Sequence, residues 1–212
     1  MNLPRATATA VLAAGLAVVP GSGCALLSRG SSVDVHWYTP ERAPSQTGIA
    51  ERQGGGCEVR VGRVTSGIDL GLRIAHGDGL YEIGYYDGLR WTERPEQYVR
   101  RAVGRALFEE GPFRRAMTDT APTLSVEVID FEEVKAPATH AARLALRVVL
   151  STDRVLLERT VMVSKSVADY RFDSFVASMA EALTEAADEI ARDVDDTCCS
   201  GAVDACRSRS SP

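Results

Sequence analysis

Three histidines and five cysteines are the side chains of this sequence best suited to metal binding or nucleophilic chemistry. His76, Asp78 and Asp69 are close enough in sequence to suggest a metal cluster, but Gly77 and Gly79 favour a polar hairpin turn instead. The chain contains no G-x-S-x-G nucleophile elbow, no phosphate-binding P-loop and no H-E-x-x-H zinc motif. We therefore expect no catalytic residue, no cofactor and no metal.

The cysteines predict a different chemistry. Without Cys24, four remain, at Cys57, Cys198, Cys199 and Cys206. In an oxidising compartment an even number favours two disulfides. A bond between the adjacent Cys198 and Cys199 would be strained, so we expect one of them to pair with Cys57 and the other with Cys206. A metal site is the weaker alternative, because no histidine lies near the C-terminal trio and the spacing is not C-x-x-C.

Cys24 belongs to the N-terminal segment, which has the pattern of a secretory signal. Arg5 precedes an apolar run, 6–19, and small residues lead to Cys24. The run is too short to favour a membrane span. A cysteine after small residues resembles a lipobox, in which the thiol is lipidated, although Gly21 stands where an aliphatic residue is usual. Ordinary cleavage, leaving Cys24 as an incidental thiol, is the alternative.

Lipidation would attach the protein to a membrane, since each buried CH₂ of an acyl chain contributes ~0.8 kcal/mol. Ala25 follows the cysteine. By analogy with enterobacterial sorting, the absence of an aspartate there favours the outer membrane. The predicted organisation is a signal peptide (1–23), the lipidated cysteine with a polar tether (24–32), one domain (33–196) and a cysteine-containing tail (197–212).

Charge excludes one class of partner. The chain has a formal net charge of −5, and removing residues 1–23 removes only Arg5, which gives −6. An acidic chain with scattered arginines is not expected to bind nucleic acid.

The segment 80–110 contains the signals that organise the domain. Tyr81–Tyr85 alternates like a half-buried strand, Asp87–Gly88 indicates a turn, and Pro95 suits the first turn of an amphipathic helix. We expect a strand, an exposed loop carrying Trp91, and a helix that packs back onto a sheet.

The aromatic residues of this segment have two possible roles. Core packing is favoured for Tyr81, Tyr85 and Tyr98. Tyr85 and Tyr86 are consecutive and must face opposite sides of a strand, so one of them leaves the core. Amphipathic aromatic residues and arginine in a loop suit protein contacts. The sequence supports a partner surface and a core role about equally for three residues: Tyr86, Arg90 and Trp91.

The remaining pattern defines the fold class. Alternation predicts strands at 33–37, 57–64, 70–74, 124–128 and 142–150, and another at 155–163 whose buried face is ambiguous. Apolar residues step by three and four from Phe172 to Val194, which predicts a long helix packed on the sheet. The expected fold is α/β (α+β): a two-layer domain with a mainly antiparallel sheet and two helices on one face.

These motifs resemble the ABC-type transport auxiliary lipoproteins, the family of the PqiC-like proteins. The resemblance rests on the tyrosine-rich strand, the tryptophan and the proline-started helix of Tyr81–Phe108, followed by Pro122–Val134, and extends over Val35–Val194. It implies a non-enzymatic periplasmic adaptor that works with ABC transporter and MCE-type (lipid-handling) subunits in transport of phospholipid or another hydrophobic substrate. The alternative is a periplasmic protein that binds a lipid or small ligand in its own sheet–helix cavity, without a transporter partner.

Overall fold

The computed structural model describes residues 34–41, 57–67, 70–118 and 120–199. Eight strands form a mixed sheet and two helices pack on one of its faces, which confirms the predicted α+β class. The strands are β1 (His36–Tyr38), β2 (Glu58–Ser66), β3 (Arg73–Gly77), β4 (Ile83–Trp91), β5 (Arg114–Arg115), β6 (Thr123–Ala136), β7 (Thr139–Ser151) and β8 (Val155–Ser166). The helices are α1 (Pro95–Arg105), continued by a π-helical turn (Ala106–Glu110), and α2 (Phe172–Cys199).

Strand β6 is the centre of the sheet. It pairs along its whole length with β7, which pairs with β8, and both ladders are antiparallel. On its other side β6 is shared: its first half pairs in parallel with β2 and its second half in parallel with β3. β3 pairs antiparallel with β4, and β4 pairs in parallel with the short edge strand β1. The antiparallel ladders contain most of the paired residues.

The core lies between the sheet and the two helices. The predicted stripe of α2 is buried at Met179, Leu183, Ala187, Ile190 and Val194. Since the side chains of a strand alternate, Leu144, Leu146, Val148 and Leu150 of β7 all face this layer and are buried. Burying each large apolar side chain contributes roughly 1.5–3 kcal/mol, so this layer is a major source of stability.

The structure resolves the face of β8 that the sequence left ambiguous. Val161 and Val163 are buried in the core, whereas Met162 between them is 74% exposed on the opposite, open face of the sheet. Arg159 lies on the helix side and binds Glu189 and Asp193 of α2. Arg159 therefore faces the same side of β8 as the buried valines, because the acids of α2 above it neutralise its charge.

The end of α2 differs from the sequence prediction. The apolar stripe predicts a helix as far as Val194, but α2 continues through the acidic pair Asp195–Asp196 to Cys199. Val194 and Cys198 are both buried at helical spacing, so packing outweighs the unfavourable charge near the helix C-terminus. In the described part of the chain, neither helix is long and apolar enough to cross a membrane.

Candidate functional site: the open face of the edge strands

The three residues predicted as a partner surface do not form one surface. All three belong to β4, but Trp91 is fully buried, and its indole contacts the rings of Tyr98, Phe131 and Phe175. The predicted exposed loop around Trp91 is therefore wrong. The tryptophan ends a strand and fills the core beneath α1, so it is unable to contact a partner in the folded protein.

Asp87–Gly88 has the local signature of a turn, yet in the structure both residues belong to β4. The register between β3 and β4 shifts at this point. Arg73 pairs with Arg90 and Ala75 pairs with Tyr85, so the residues of β4 between Tyr85 and Arg90 lie opposite the single residue Ile74 of β3. Gly88 has φ +74°, a left-handed conformation that glycine adopts without steric cost. The backbone therefore bulges without ending the strand.

Tyr86 lies on the helix face, in a polar cluster at the margin of the core. Its hydroxyl donates to the buried Glu133 and accepts from Lys135. The other oxygen of Glu133 lies 2.6 Å from Nε2 of His140. Burial and the neighbouring Glu133 carboxylate raise the pKa of Tyr86 well above its usual range. Glu133 thus has hydrogen-bond partners on both oxygens, and the cluster joins β4, β6 and β7.

The sequence pattern does not reveal this cluster, because Glu133 and His140 lie seven residues apart on different strands. The β6–β7 hairpin places Lys135 opposite His140, and Glu133 follows two residues along on the same face. The short turn between the two strands was the available signal, because strand pairing around it fixes which residues meet.

Arg90 lies on the open face of the sheet, away from the helices. Its guanidinium donates to the backbone carbonyls of Tyr86 at 2.9 Å and Leu89 at 2.7 Å. Strand pairing puts Arg90 beside Trp37 of β1 and Arg73 of β3. We call the following set the edge face: Val35, Trp37, Arg73, Ile83, Tyr85 and Arg90.

The edge face exposes large apolar side chains together. Val35 is 41%, Trp37 55% and Ile83 49% exposed. The guanidinium of Arg73 lies 3.8 Å from the centroid of the Tyr85 ring, a cation–π contact that leaves its remaining donors accessible. The hairpin at one end adds Tyr81, which is 96% exposed, so the prediction of a core role for Tyr81 is wrong. Tyr98 is buried as predicted.

The rest of the open face has a different character. On β6, β7 and β8 its charges are paired across strands: Arg147 contacts Glu127 and Glu158, while Arg143 contacts Asp130 and Glu132. The two arginines of β7 therefore point away from the helices. Paired charges make this half a solvated surface.

The histidine–aspartate motif is a turn. Oδ1 of Asp78 accepts the backbone N–H groups of Leu80, Tyr81 and Glu82 at 2.8–3.2 Å. These hydrogen bonds lower the pKa of Asp78, because they favour its ionised form. The His76 ring packs against Tyr86. The predicted hairpin is confirmed, while Asp69 lies outside the described residues.

The cysteine prediction is not tested by the structure. Cys24 and Cys206 lie outside the described residues, and the side chain of Cys199 is not described. The pairing of Cys57 with one of the adjacent cysteines therefore stays a prediction.

These features define a class of protein: a two-layer α+β domain with a helix-covered core and an aromatic, arginine-bearing edge. Its sequence matches the model of the family described as "ABC-type transport auxiliary lipoprotein component" over residues 72–191, more than half of the chain. The chain belongs to this family, and it is therefore an auxiliary lipoprotein component of a transport system.

Solved structures show the same fold. A Xanthomonas campestris protein of the DUF330 family is 23% identical, with 73% of this chain and 92% of that chain aligned at a TM-score of 0.61. An uncharacterised protein is 13% identical and aligns with 76% of this chain and 99% of its own at a TM-score of 0.57. A search of curated proteins gave no match.

Proposed function

We propose that this protein is a non-enzymatic adaptor of an MCE-type lipid transport system, and that it docks on the MCE-type subunit through the edge face. Acyl chains on Cys24 hold it at the outer membrane, facing the periplasm. In this position it completes the periplasmic path of phospholipid or another hydrophobic substrate. The proposal builds on family membership, and the observation that carries it is the exposed edge face.

The chemistry of the edge face suits a protein partner. Aromatic residues and arginine are enriched in interface cores, where they supply most of the binding energy. Trp37 and Tyr85 provide flat apolar area, and Arg73 and Arg90 provide charged donors beside it. Among the described residues, the three-residue strand β1 forms an edge of the sheet, so its backbone groups at that margin face no other described strand and suit a partner strand.

A binding experiment tests the edge face. Full-length protein carrying Trp37→Ala would be co-purified from membranes with the MCE-type subunit of the same organism. We expect Trp37→Ala to reduce recovery of the subunit about tenfold or more, since losing a central interface aromatic costs ~2 kcal/mol or more. The matched control is Met162→Ala, because Met162 is also exposed on the open face but lies on β8. Equal recovery of the subunit by both variants would refute docking through the edge face.

Anchoring at Cys24 is tested separately. Intact-mass analysis of the mature protein should give a diacyl- or triacyl-modified cysteine at residue 24, and Cys24→Ala should remove the protein from the outer-membrane fraction. An unmodified thiol, or a start further along the chain, would contradict the anchor while leaving the edge face untouched.

We also propose that a disulfide joins Cys57 to Cys198 or Cys199, with Cys206 bonded to the remaining one. Supporting this, α2 runs antiparallel to β8, since Asp193 near its end binds Arg159 near the start of that strand. The start of β8 pairs with the end of β7, which pairs with the start of β6, and the start of β6 pairs with the start of β2. The start of β2, next to Cys57, therefore lies at the same end of the sheet as the end of α2. Non-reducing peptide mapping of the secreted protein should recover Cys57 linked to the C-terminal peptide; free Cys57 would exclude the bond.

The alternative, a lipid enclosed within the domain, receives no support from the space between the two helices. The space between α1 and α2, lined by Tyr98, Ala102, Leu183 and Ala187 among others, measures about 30 Å³. That volume accommodates a water molecule or two and is too small for an acyl chain.

A further inference from the structure

A cleft of about 540 Å³ opens on the opposite side of α1 from α2. Its walls are α1 with its π-helical turn on one side and β2 with the segment around β5 on the other. This volume lies in the range of small-molecule sites. The π-helical turn is unusual, and such turns are frequent at functional sites because they re-aim the side chains they carry. Here the turn places Phe108 in the wall of the cleft.

Five arginines line the cleft, against two glutamates, although the whole chain is acidic. The arginines are Arg60, Arg100, Arg101, Arg105 and Arg115. Arg101 is neutralised by Glu41 and Glu93. One N–H of Arg100 donates to the backbone carbonyl of Gly62 at 3.0 Å, and this neutral acceptor does not neutralise the guanidinium. The cleft therefore concentrates positive charge on an otherwise negative protein.

Two of these arginines are available to an anion. Within the described part of the chain, neither Arg105 nor Arg115 has a carboxylate within ion-pair distance. The Arg115 guanidinium lies over the Phe108 ring, 4.2 Å from the ring centroid. This stacking fixes the plane of the guanidinium and leaves the N–H donors of Arg115 available at its edge. A planar guanidinium with free donors matches phosphate oxygens in a bidentate way.

Gly104 keeps the cleft open. It lies in the last turn of α1, where glycine is less favourable than alanine by roughly 1 kcal/mol. A Cβ at this position would lie 3.7 Å from Nη2 of Arg115, so a long side chain would occupy the space in front of that guanidinium.

The cleft also has an apolar part. Val61 and Phe108 line it, and Met117 at its rim is 95% exposed. An anion alone would not use this surface. We propose that the cleft binds a phosphate-headed amphiphile, with the phosphate held by Arg105 and Arg115 and the first part of its apolar chain lying along Phe108 and Met117. This binding goes beyond the adaptor role and requires neither the transporter partner nor the edge face.

Calorimetric titration of the full mature protein in neutral detergent tests the proposal. The probes are short-chain (dihexanoyl) phosphatidic acid, the matching neutral diacylglycerol and inorganic phosphate. We expect saturable binding of phosphatidic acid that weakens as salt is raised, and much weaker binding of the other two probes. Equal affinity for inorganic phosphate would overturn the amphiphile assignment, and equal affinity for the neutral diacylglycerol would overturn the role of the arginines.

Substitutions locate the site. Arg105→Gln and Arg115→Gln should each weaken phosphatidic acid binding about tenfold or more, because a charge-assisted contact is lost. The matched control is Arg154→Gln, which removes the same charge from an exposed turn outside the cleft and should change affinity little. Gly104→Leu, which keeps every arginine, should also weaken binding. Unchanged affinity in both cleft arginine variants, or an equal loss in Arg154→Gln, would overturn the site; thermal melts identify any variant that does not fold.

Discussion

Two tryptophans sit almost side by side on neighbouring strands and have opposite environments. Trp37 of β1 pairs with Arg90, and the next pair along the same ladder is Tyr38 with Trp91. A step of one residue changes the face of the sheet, so Trp91 points into the helix-covered core while Trp37 points outward. The two side chains are alike in chemistry, and only the layer above them decides whether they stabilise the fold or remain available to a partner.

The same contrast holds for the charges. On the helix face, Arg159 is engaged by two acids of α2, and Glu133 is held by three polar neighbours. On the edge face, Arg73 and Arg90 contact a ring and backbone carbonyls but are not neutralised by carboxylates of the described residues. The charges on the helix face of β6 and β8 are therefore paired, whereas those of the edge face are available for recognition.

The largest effect should follow from truncating the buried tryptophan. We expect Trp91→Ala to lower the free energy of unfolding by about 3–5 kcal/mol, because it leaves a cavity among three aromatic rings. Urea denaturation followed by circular dichroism measures this. A loss below ~1 kcal/mol would show that the helix layer does not depend on this residue.

The polar cluster should give the next largest effect. Tyr86→Phe deprives the buried Glu133 of a donor and should cost about 1–3 kcal/mol, measured by urea denaturation at neutral pH. Tyr81→Phe, in a residue that is 96% exposed, is the matched control and should have almost no effect.

Tyr86 should also make stability depend on alkaline pH. Because its folded pKa is raised above its unfolded value of about 10, this contribution is fully present below about pH 10 and is lost as the pH rises further. Melting temperatures measured across this range should fall less steeply for Tyr86→Phe than for the wild type. Parallel curves would mean that Tyr86 ionises as readily in the folded protein as in the unfolded one.

A smaller effect is expected from the charged contact between β8 and α2. Arg159→Gln should reduce the free energy of unfolding by about 1 kcal/mol or less, since the Arg159 side chain is 38% exposed and solvent screens the pair. Burial already raises the pKa of Asp193, and removing the arginine should raise it further. A folded pKa above the unfolded value means that protonation of Asp193 stabilises the folded state, so the stability difference between the variant and the wild type should shrink as the pH falls and Asp193 takes up its proton. A difference that does not change with pH would exclude the coupling.

The smallest effect on stability is expected for the exposed tryptophan. Trp37→Ala should change the free energy of unfolding by no more than about 0.5 kcal/mol, because its side chain is 55% exposed. The same variant is expected to lose the MCE-type partner. A stability loss comparable to that of Trp91→Ala would mean that the edge face is part of the fold and would remove the contrast between the two tryptophans.

The sequence alone determined the elements whose signal is local. The stripe of α2, the proline-started α1, the hairpin at Asp78 and the alternation of β7 all follow from period and turn chemistry, and the structure confirms them. Family membership was also evident in the order of these motifs. What stayed ambiguous or wrong was the outer face of β4, the face of β8 and the end of α2.

Those features depend on what packs against each strand, and periodicity does not contain that information. Alternation shows that Trp37 and Tyr38 point to opposite sides, but only the position of the helices decides which side is covered. A left-handed glycine at 88 lets a strand continue where local preference indicates a turn. The Glu133 cluster and the arginine cleft join residues far apart in the chain, so only tertiary structure, through strand pairing and helix packing, brings them together.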